Sequence, residues 1–170
     1  MDQSSPQTIS NTVRLWSFCR PTITKDTRKY KSNTFGFYTL RGNSVIDFPE
    51  HSRKEDVISF LEKIRLNNPK GRIMIILDNF KSHHAIKVAE RASDLGVDLI
   101  FLPPYSPDLN PIEFIWKSIR RIVSKSFVDS KESMCSIIEN AFSSFSKSKG
   151  YAKSWASKFL PLDIQSLING

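Results

Sequence analysis

A chain of 170 residues with 39% apolar content can bury one hydrophobic core, and no shift in composition marks a second, so one domain over residues 1–170 is expected. Lysine and arginine outnumber aspartate and glutamate by 25 to 17, giving a formal charge of +8 and a pI near 9.6, a balance that favours polyanionic partners but also serves solubility. The two cysteines, Cys19 and Cys135, lack zinc-ligand spacing and form no disulfide framework; Met1 to Pro6 is too polar for a secretory signal, and no run reaches the roughly 18 apolar residues of a membrane span, so a cytoplasmic setting without a membrane partner is expected.

From Ser10 to Ser32 there is no clean period. Between Arg14 and Arg41 the basic residues Arg14, Arg20, Lys25, Arg28, Lys29, Lys31 and Arg41 face Asp26 alone, a local charge of +6 that fits a solvated loop or a surface tracking DNA. Thr34 to Leu40 and Ser44 to Phe48 are β-rich and flank Arg41, Gly42 and Asn43, which predicts a hairpin. Val57, Phe60, Leu61 and Ile64 fall at helical spacing behind a Ser52 and Glu55 capping pattern, so a helix is expected from Arg53 to Asn67.

Next come the apolar run Arg72 to Asp78, a helical pattern from about His83 to Leu95, and a second apolar run from Val97 to Leu102. Continuous apolar strands joined by one helix imply parallel neighbours with a right-handed crossover. Asn110 as N-cap with Pro111 behind it predicts a helix from about Pro111 to Lys125. Its apolar face holds Ile112, Ile115, Trp116, Ile119, Ile122 and Val123, while Glu113 borders Lys117, Arg120 and Arg121 on the other. The tail carries a helical pattern between Ser130 and Lys149 and a short one around Lys153 to Phe159.

Asp78 closes an apolar strand and Glu113 sits in the first turn of a helix, with 34 residues between them. Carboxylates converging from different elements suit a hard cation such as Mg²⁺, and in open α/β sheets ligands gather at the carboxyl ends of strands. Each has a structural alternative: Glu113 completes a capping box with Asn110, and Asp78 forms a turn with Asn79. His83 and His84 read as cap or surface residues rather than ligands, Asp108 as turn chemistry, and Trp16 and Trp116 as core rather than base-stacking platforms.

Asp78, Asn79 and His83, followed by Leu102, Pro103, Pro104, Tyr105, Ser106, Pro107, Asp108, Leu109, Asn110, Pro111, Ile112, Glu113 and Trp116, resemble the catalytic core of DDE transposases of the mariner superfamily, especially its insertion-sequence branch. The resemblance implies an α/β, ribonuclease H-like mixed sheet flanked by helices, three antiparallel strands followed by two parallel ones. It covers about residues 2–125 and leaves 126–170 as a helical tail. In that family the first catalytic Asp ends the first, central strand, ahead of an Arg-x-Trp element; Asp2, with Arg14, Leu15 and Trp16 behind it, matches that place.

The resemblance thus implies a triad of Asp2, Asp78 and Glu113 serving as catalytic residues and as ligands of two Mg²⁺ or Mn²⁺ ions. It implies cleavage and strand transfer of double-stranded DNA at transposon ends and into target DNA, with Arg14, Arg28, Lys29, Lys31, Lys117, Arg120 and Arg121 touching phosphates. A homodimer, or pairing with an upstream transposase fragment, and a nucleoid-associated location go with it. The alternatives are an inactive DNA-binding or oligomerising remnant and a ribonuclease or resolvase of the same fold, which needs a fourth carboxylate. Gln3 stands where the family often has an acidic residue. Because Asp2 stands so near the start, the chain reads as the C-terminal portion of a transposase through a split frame, a mis-called start or a decayed element. The first strand is then largely missing, and nothing is expected to hold Asp2 beside Asp78 and Glu113.

Overall fold

The structure, a computed structural model, describes residues 1–8, 18, 19, 22, 24–79, 85–148 and 150–159. The aromatic segment forms β2 (Thr34–Phe37), which pairs antiparallel on one side with β3 (Val45–Asp47), Phe35 facing Asp47 and Phe37 facing Val45. On its other side it pairs antiparallel with β1 (Asp2–Ser4), Asp2 facing Gly36. Gly42, with φ of 101°, makes the turn between β2 and β3 in a conformation that favours glycine.

The apolar runs become β4 (Ile73–Leu77) and β5 (Val97–Phe101), parallel and in register from Ile73 with Val97 to Leu77 with Phe101. Helix α1 (Lys54–Asn67) precedes them and α2 (Ile86–Asp94) connects them. The Met1 ammonium donates to the Ile76 carbonyl at 2.7 Å, which brings β1 alongside β4. The strands form an antiparallel three-stranded sheet, β1-β2-β3, and a parallel pair, β4-β5, and the single Met1 bond sets them side by side in the order β3-β2-β1-β4-β5.

One face of the strands carries Phe35, Ile75 and Leu77 into a core with Val57, Phe60 and Ile64 of α1 and Val88 of α2. Against the other face pack α3 (Ile112–Lys125) and α4 (Lys131–Lys147), whose Ile115, Trp116, Ile119, Met134, Ile138 and Phe142 form a second core, followed by α5 (Gly150–Phe159). Among the described residues no helix is long and apolar enough to cross a membrane.

Two local expectations change. Helix α1 begins at Lys54, so Arg53 rather than Ser52 is its cap, and the Arg53 N–H is satisfied by Asp56 Oδ2 at 2.8 Å rather than by Glu55. Asp2 does not end its strand but begins it, because Asp2, Gln3 and Ser4 continue the pairing down β2 to Thr34.

Gly36 is the point of closest approach between the sheet and α3. A Cβ built there lies 2.5 Å from Trp116 Cζ2, 2.7 Å from Cη2 and 2.9 Å from Ile112 Cδ1, and both side chains are buried in a packed core that has no slack. Gly36→Ala is therefore expected to lower the unfolding free energy by about 1–3 kcal/mol, the usual range for overpacking. Urea denaturation of the two proteins measures it, and an unchanged midpoint would show that Trp116 is not fixed against the strand.

Candidate active site

The approach to α3 sets the position of Glu113. Pro107–Leu109 form a 3-10 turn, and the Asn110 N–H donates to the Pro107 carbonyl at 3.0 Å, carrying the chain into the helix. Pro111, with φ of −61° and ψ of −23°, is the cap residue, and no side chain caps this end. Its ring fixes a helix-compatible φ and its missing N–H costs nothing there. Glu113 therefore occupies the second helical position, its N–H donating to the Asn110 carbonyl at 3.1 Å, and the expected capping box with Asn110 does not form. Its carboxylate is partly exposed and its Oε2 lies 3.8 Å from Arg120 Nη2.

Three residues along the helix, Trp116 is fully buried and stacks on Phe142, with ring centres 5.7 Å apart. Its Nε1–H donates to Asp2 Oδ2 at 3.1 Å. The expectation that nothing holds Asp2 is thus overturned: pairing with Gly36 fixes its backbone and the indole fixes its carboxyl. Trp116 was expected as core alone; it is core and also the donor, a role visible only when residues 2 and 116 are brought together.

Asp78 follows β4 directly. The loop it begins is tied down where the Leu102 N–H donates to the Leu77 carbonyl at 2.8 Å and Asn79 Nδ2 to the Leu102 carbonyl at 2.8 Å. Asp78 Oδ1 is shielded from solvent. Burial, then the charges of Glu113 and Asp78, push the Asp2 carboxyl up to about 8. Burial also pushes the Met1 ammonium down to about 6, opposed by the charges of Asp2 and Asp78. The Asp2 carboxyl thus lies within electrostatic reach of Asp78 and of Glu113, which come from distant stretches of chain.

Oxygen donors of this kind are what Mg²⁺ or Mn²⁺ requires. The chemistry fits, but the ligand sphere is not closed: among the described residues no group of three His, Cys, Asp or Glu side chains is gathered tightly enough to hold an ion. In this arrangement Asp2 is engaged by Trp116 and Glu113 faces Arg120.

The basic residues divide. Arg28 forks onto Asp26, with contacts of 2.7 to 3.3 Å, and lies over the Tyr30 ring, so its charge is neutralised locally. Lys29 and Lys31 are exposed. Arg120 is half-buried, donating to Ser4 Oγ at 3.1 Å while facing Glu113. Lys117 and Arg121 are exposed and, with Lys158, line a groove of about 580 Å³ between α3 and α5. Asp108 stands exposed in the 3-10 turn, in keeping with turn chemistry. Arg14, Trp16, His83 and His84 lie outside the described residues.

Residues 1–135 match the family described as DDE superfamily endonuclease. No curated protein matches the chain. Among solved structures it is similar to the Mos1 strand transfer complex, with 18% identity and a TM-score of 0.59, over 92% of this chain and 52% of that one. It is also similar to the mariner Mos1 paired end complex with Mg, with 18% identity and a TM-score of 0.62, over 84% and 47%. The Mos1 transposase catalytic domain with Raltegravir and Mn matches with 19% identity and a TM-score of 0.56, over 66% and 63%. At these identities the likeness shows the fold, a ribonuclease H-like mixed α/β arrangement. The chain spans about half the length of the first two.

The raised Asp2 pKa has a stability consequence of definite sign. The folded state holds this proton up to about 8 while the unfolded chain releases it near 3.8, so Asp2's contribution is complete at low pH and is lost as pH climbs. The Met1 amine acts in the opposite sense, but between about 6 and 8. Relative to Asp2→Asn in metal-free buffer, the parent is therefore expected to lose Tm steadily from pH 4 to 6. A flat difference across that window would mean that Asp2 is ionised in the fold.

Proposed function

The chain belongs to the DDE superfamily endonucleases, and from that membership we propose that it carries the catalytic centre of a DNA transposase, acting on double-stranded DNA at transposon ends and joining the cut strand to target DNA. One observation carries the reading: the Asp2 carboxyl, buried and tethered to Trp116, feels the charges of both Asp78 and Glu113. Such clustering disfavours the bare fold and is compensated by a cation or a proton. Titratable groups perturbed by burial and by one another cluster at functional sites. The solved Mos1 structures, which include a paired end complex with Mg and catalytic domains with Mg and with Mn, support the same reading.

Asp2 and Asp78 would share one ion and Glu113 would hold a second. When bound, two Mg²⁺ or Mn²⁺ ions supply polarisation of the attacking and leaving oxygens of a phosphodiester. The chain's own contribution is to orient and to exchange partners. Trp116 holds Asp2 Oδ2 in place and so orients the carboxyl. Arg120, bonded to Ser4, yields Glu113 and turns its guanidinium toward a phosphate. Lys117 and Arg121 on the same helix, with Lys29 and Lys31, offer exposed charges for backbone contacts that position DNA without reading sequence. Assembly on paired DNA ends as a homodimer or with an upstream fragment, at the nucleoid, is part of the same proposal.

Asp78→Asn removes one charge from the cluster while keeping shape at a strand end. Calorimetric titration with Mn²⁺ is expected to show at least a tenfold loss of affinity against the parent, with unchanged circular dichroism, and nicking of supercoiled plasmid by the variant should fall in parallel. Equal Mn²⁺ affinity in the two proteins would remove Asp78 from the ligand set and the proposal with it.

A further inference from the structure

The groove of about 580 Å³ between α3 and α5 is walled by one stripe of each helix. Phe114, Lys117 and Arg121 recur at the three- and four-residue spacing that keeps side chains on one face of α3, and Tyr151, Ser154 and Lys158 do the same on α5. The walls are tied together where they meet: Tyr151 Oη donates to Ser118 Oγ at 2.9 Å, and Ser118 donates its own O–H to the Phe114 carbonyl at 3.0 Å. Phe145 holds the Tyr151 ring edge-on, with ring centres 5.7 Å apart.

Among the described residues that line it there are three cations and no acidic side chain. Arg28, Lys63, Arg72, Arg91 and Arg120 each face a carboxylate, but among the described residues Lys117, Arg121 and Lys158 do not. The Lys158 ammonium stands instead 4.9 Å from the centre of the Phe159 ring. Cations gathered without an anion among them repel one another, and a polyanion relieves the repulsion. Lys117 and Arg121 lie about 6 Å apart along the helix axis at 1.5 Å per residue, near the separation of successive phosphates on an extended strand.

Charge alone suits the backbone of a duplex, yet a duplex keeps its bases stacked inside and gains nothing from aromatic rings set between two helices. Phe114 is 37% exposed, and Phe159 lines the same opening. Aromatic faces beside phosphate-binding cations serve unpaired bases, which stack on them without regard to sequence. The volume falls within the range of small-ligand pockets, room for one or two nucleotides and not for a double helix. We propose that this groove is a site for single-stranded DNA, an assignment that rests on the chain acting on DNA as proposed above. The phosphates of the unpaired strand lie on Lys117, Arg121 and Lys158, and a base stacks on Phe114. Glu113 directly precedes Phe114 on α3, so a strand held here starts from the carboxylate end of that helix.

The test uses the full 170-residue chain in metal-free buffer and a fluorescein-labelled oligothymidylate of about twelve nucleotides, within the span that one protein module covers. Its duplex and an abasic strand of equal length are titrated alongside. By anisotropy, Phe114→Ala is expected to weaken the single strand at least fivefold, the lower end of what one base–aromatic stack contributes, while duplex and abasic affinities change less than about twofold. Lys158→Ala is expected to weaken the single strand and to flatten its slope of log affinity against log salt by about 0.7, the value for one phosphate of a single strand. Lys87→Ala, exposed on α2, should change nothing beyond about twofold. Equal losses on all three probes with Phe114→Ala, or a loss from Lys87→Ala as large as that from Lys158→Ala, would overturn the proposal in favour of diffuse charge. A chain that binds the single strand through Phe114 but neither binds Mn²⁺ nor nicks plasmid would remove the catalytic reading and leave DNA binding at the groove. One that does both but is indifferent to Phe114→Ala would remove the groove alone.

Discussion

A buried carboxyl stays in place only when a donor meets it, and at Asp2 the donor is the indole N–H of Trp116 at 3.1 Å. Much else converges on this contact. Gly36 lacks a side chain, which lets Trp116 lie against β2; Phe142 stacks on its ring from α4; and the placement of α3 that brings Trp116 to Asp2 also brings Glu113 near. The second core thus does more than bury apolar surface. It transmits the position of a helix, through one rigid aromatic ring, to a carboxyl on a strand 114 residues away in sequence.

The sheet is held together less evenly than its strand order suggests. β1 contributes three residues to β2 and one terminal nitrogen to β4, whereas β4 and β5 share a register of five paired positions. A carboxyl at the start of so short a strand would fray if backbone pairing were its sole restraint. The side-chain tether from Trp116 supplies the missing constraint.

Most of the secondary structure was legible because its signals are local. The helical spacing of Val57, Phe60, Leu61 and Ile64, the apolar runs at β4 and β5, and the turn at Gly42 each declare themselves within a dozen residues. Asp78 and Glu113 were legible through their elements and through the motif from Leu102 to Trp116. Helix starts were harder: Arg53 rather than Ser52 stands at the cap of α1 and Pro111 rather than Asn110 at that of α3, neither a preferred cap residue, so the capping rule alone does not set where these helices begin. The restraint on Asp2 was not legible at all. It joins residues 2 and 116, and no pattern in either neighbourhood announces that an indole will point at a carboxyl. Likewise the neutralisation of Arg28 by Asp26 depends on a loop geometry that a count of charges does not contain.

Whether the tethered Asp2 belongs to an ion-binding cluster decides the function proposed for this site. Titrating Mn²⁺ into ¹⁵N-labelled protein and following the Trp116 indole N–H resonance, assigned with Trp116→Phe, tests this at the atom concerned. Paramagnetic broadening of that resonance at substoichiometric Mn²⁺ in the parent, and its loss in Asp78→Asn, is the result the account predicts. A Trp116 resonance that stays sharp in the parent, or broadens equally in the variant, would contradict it.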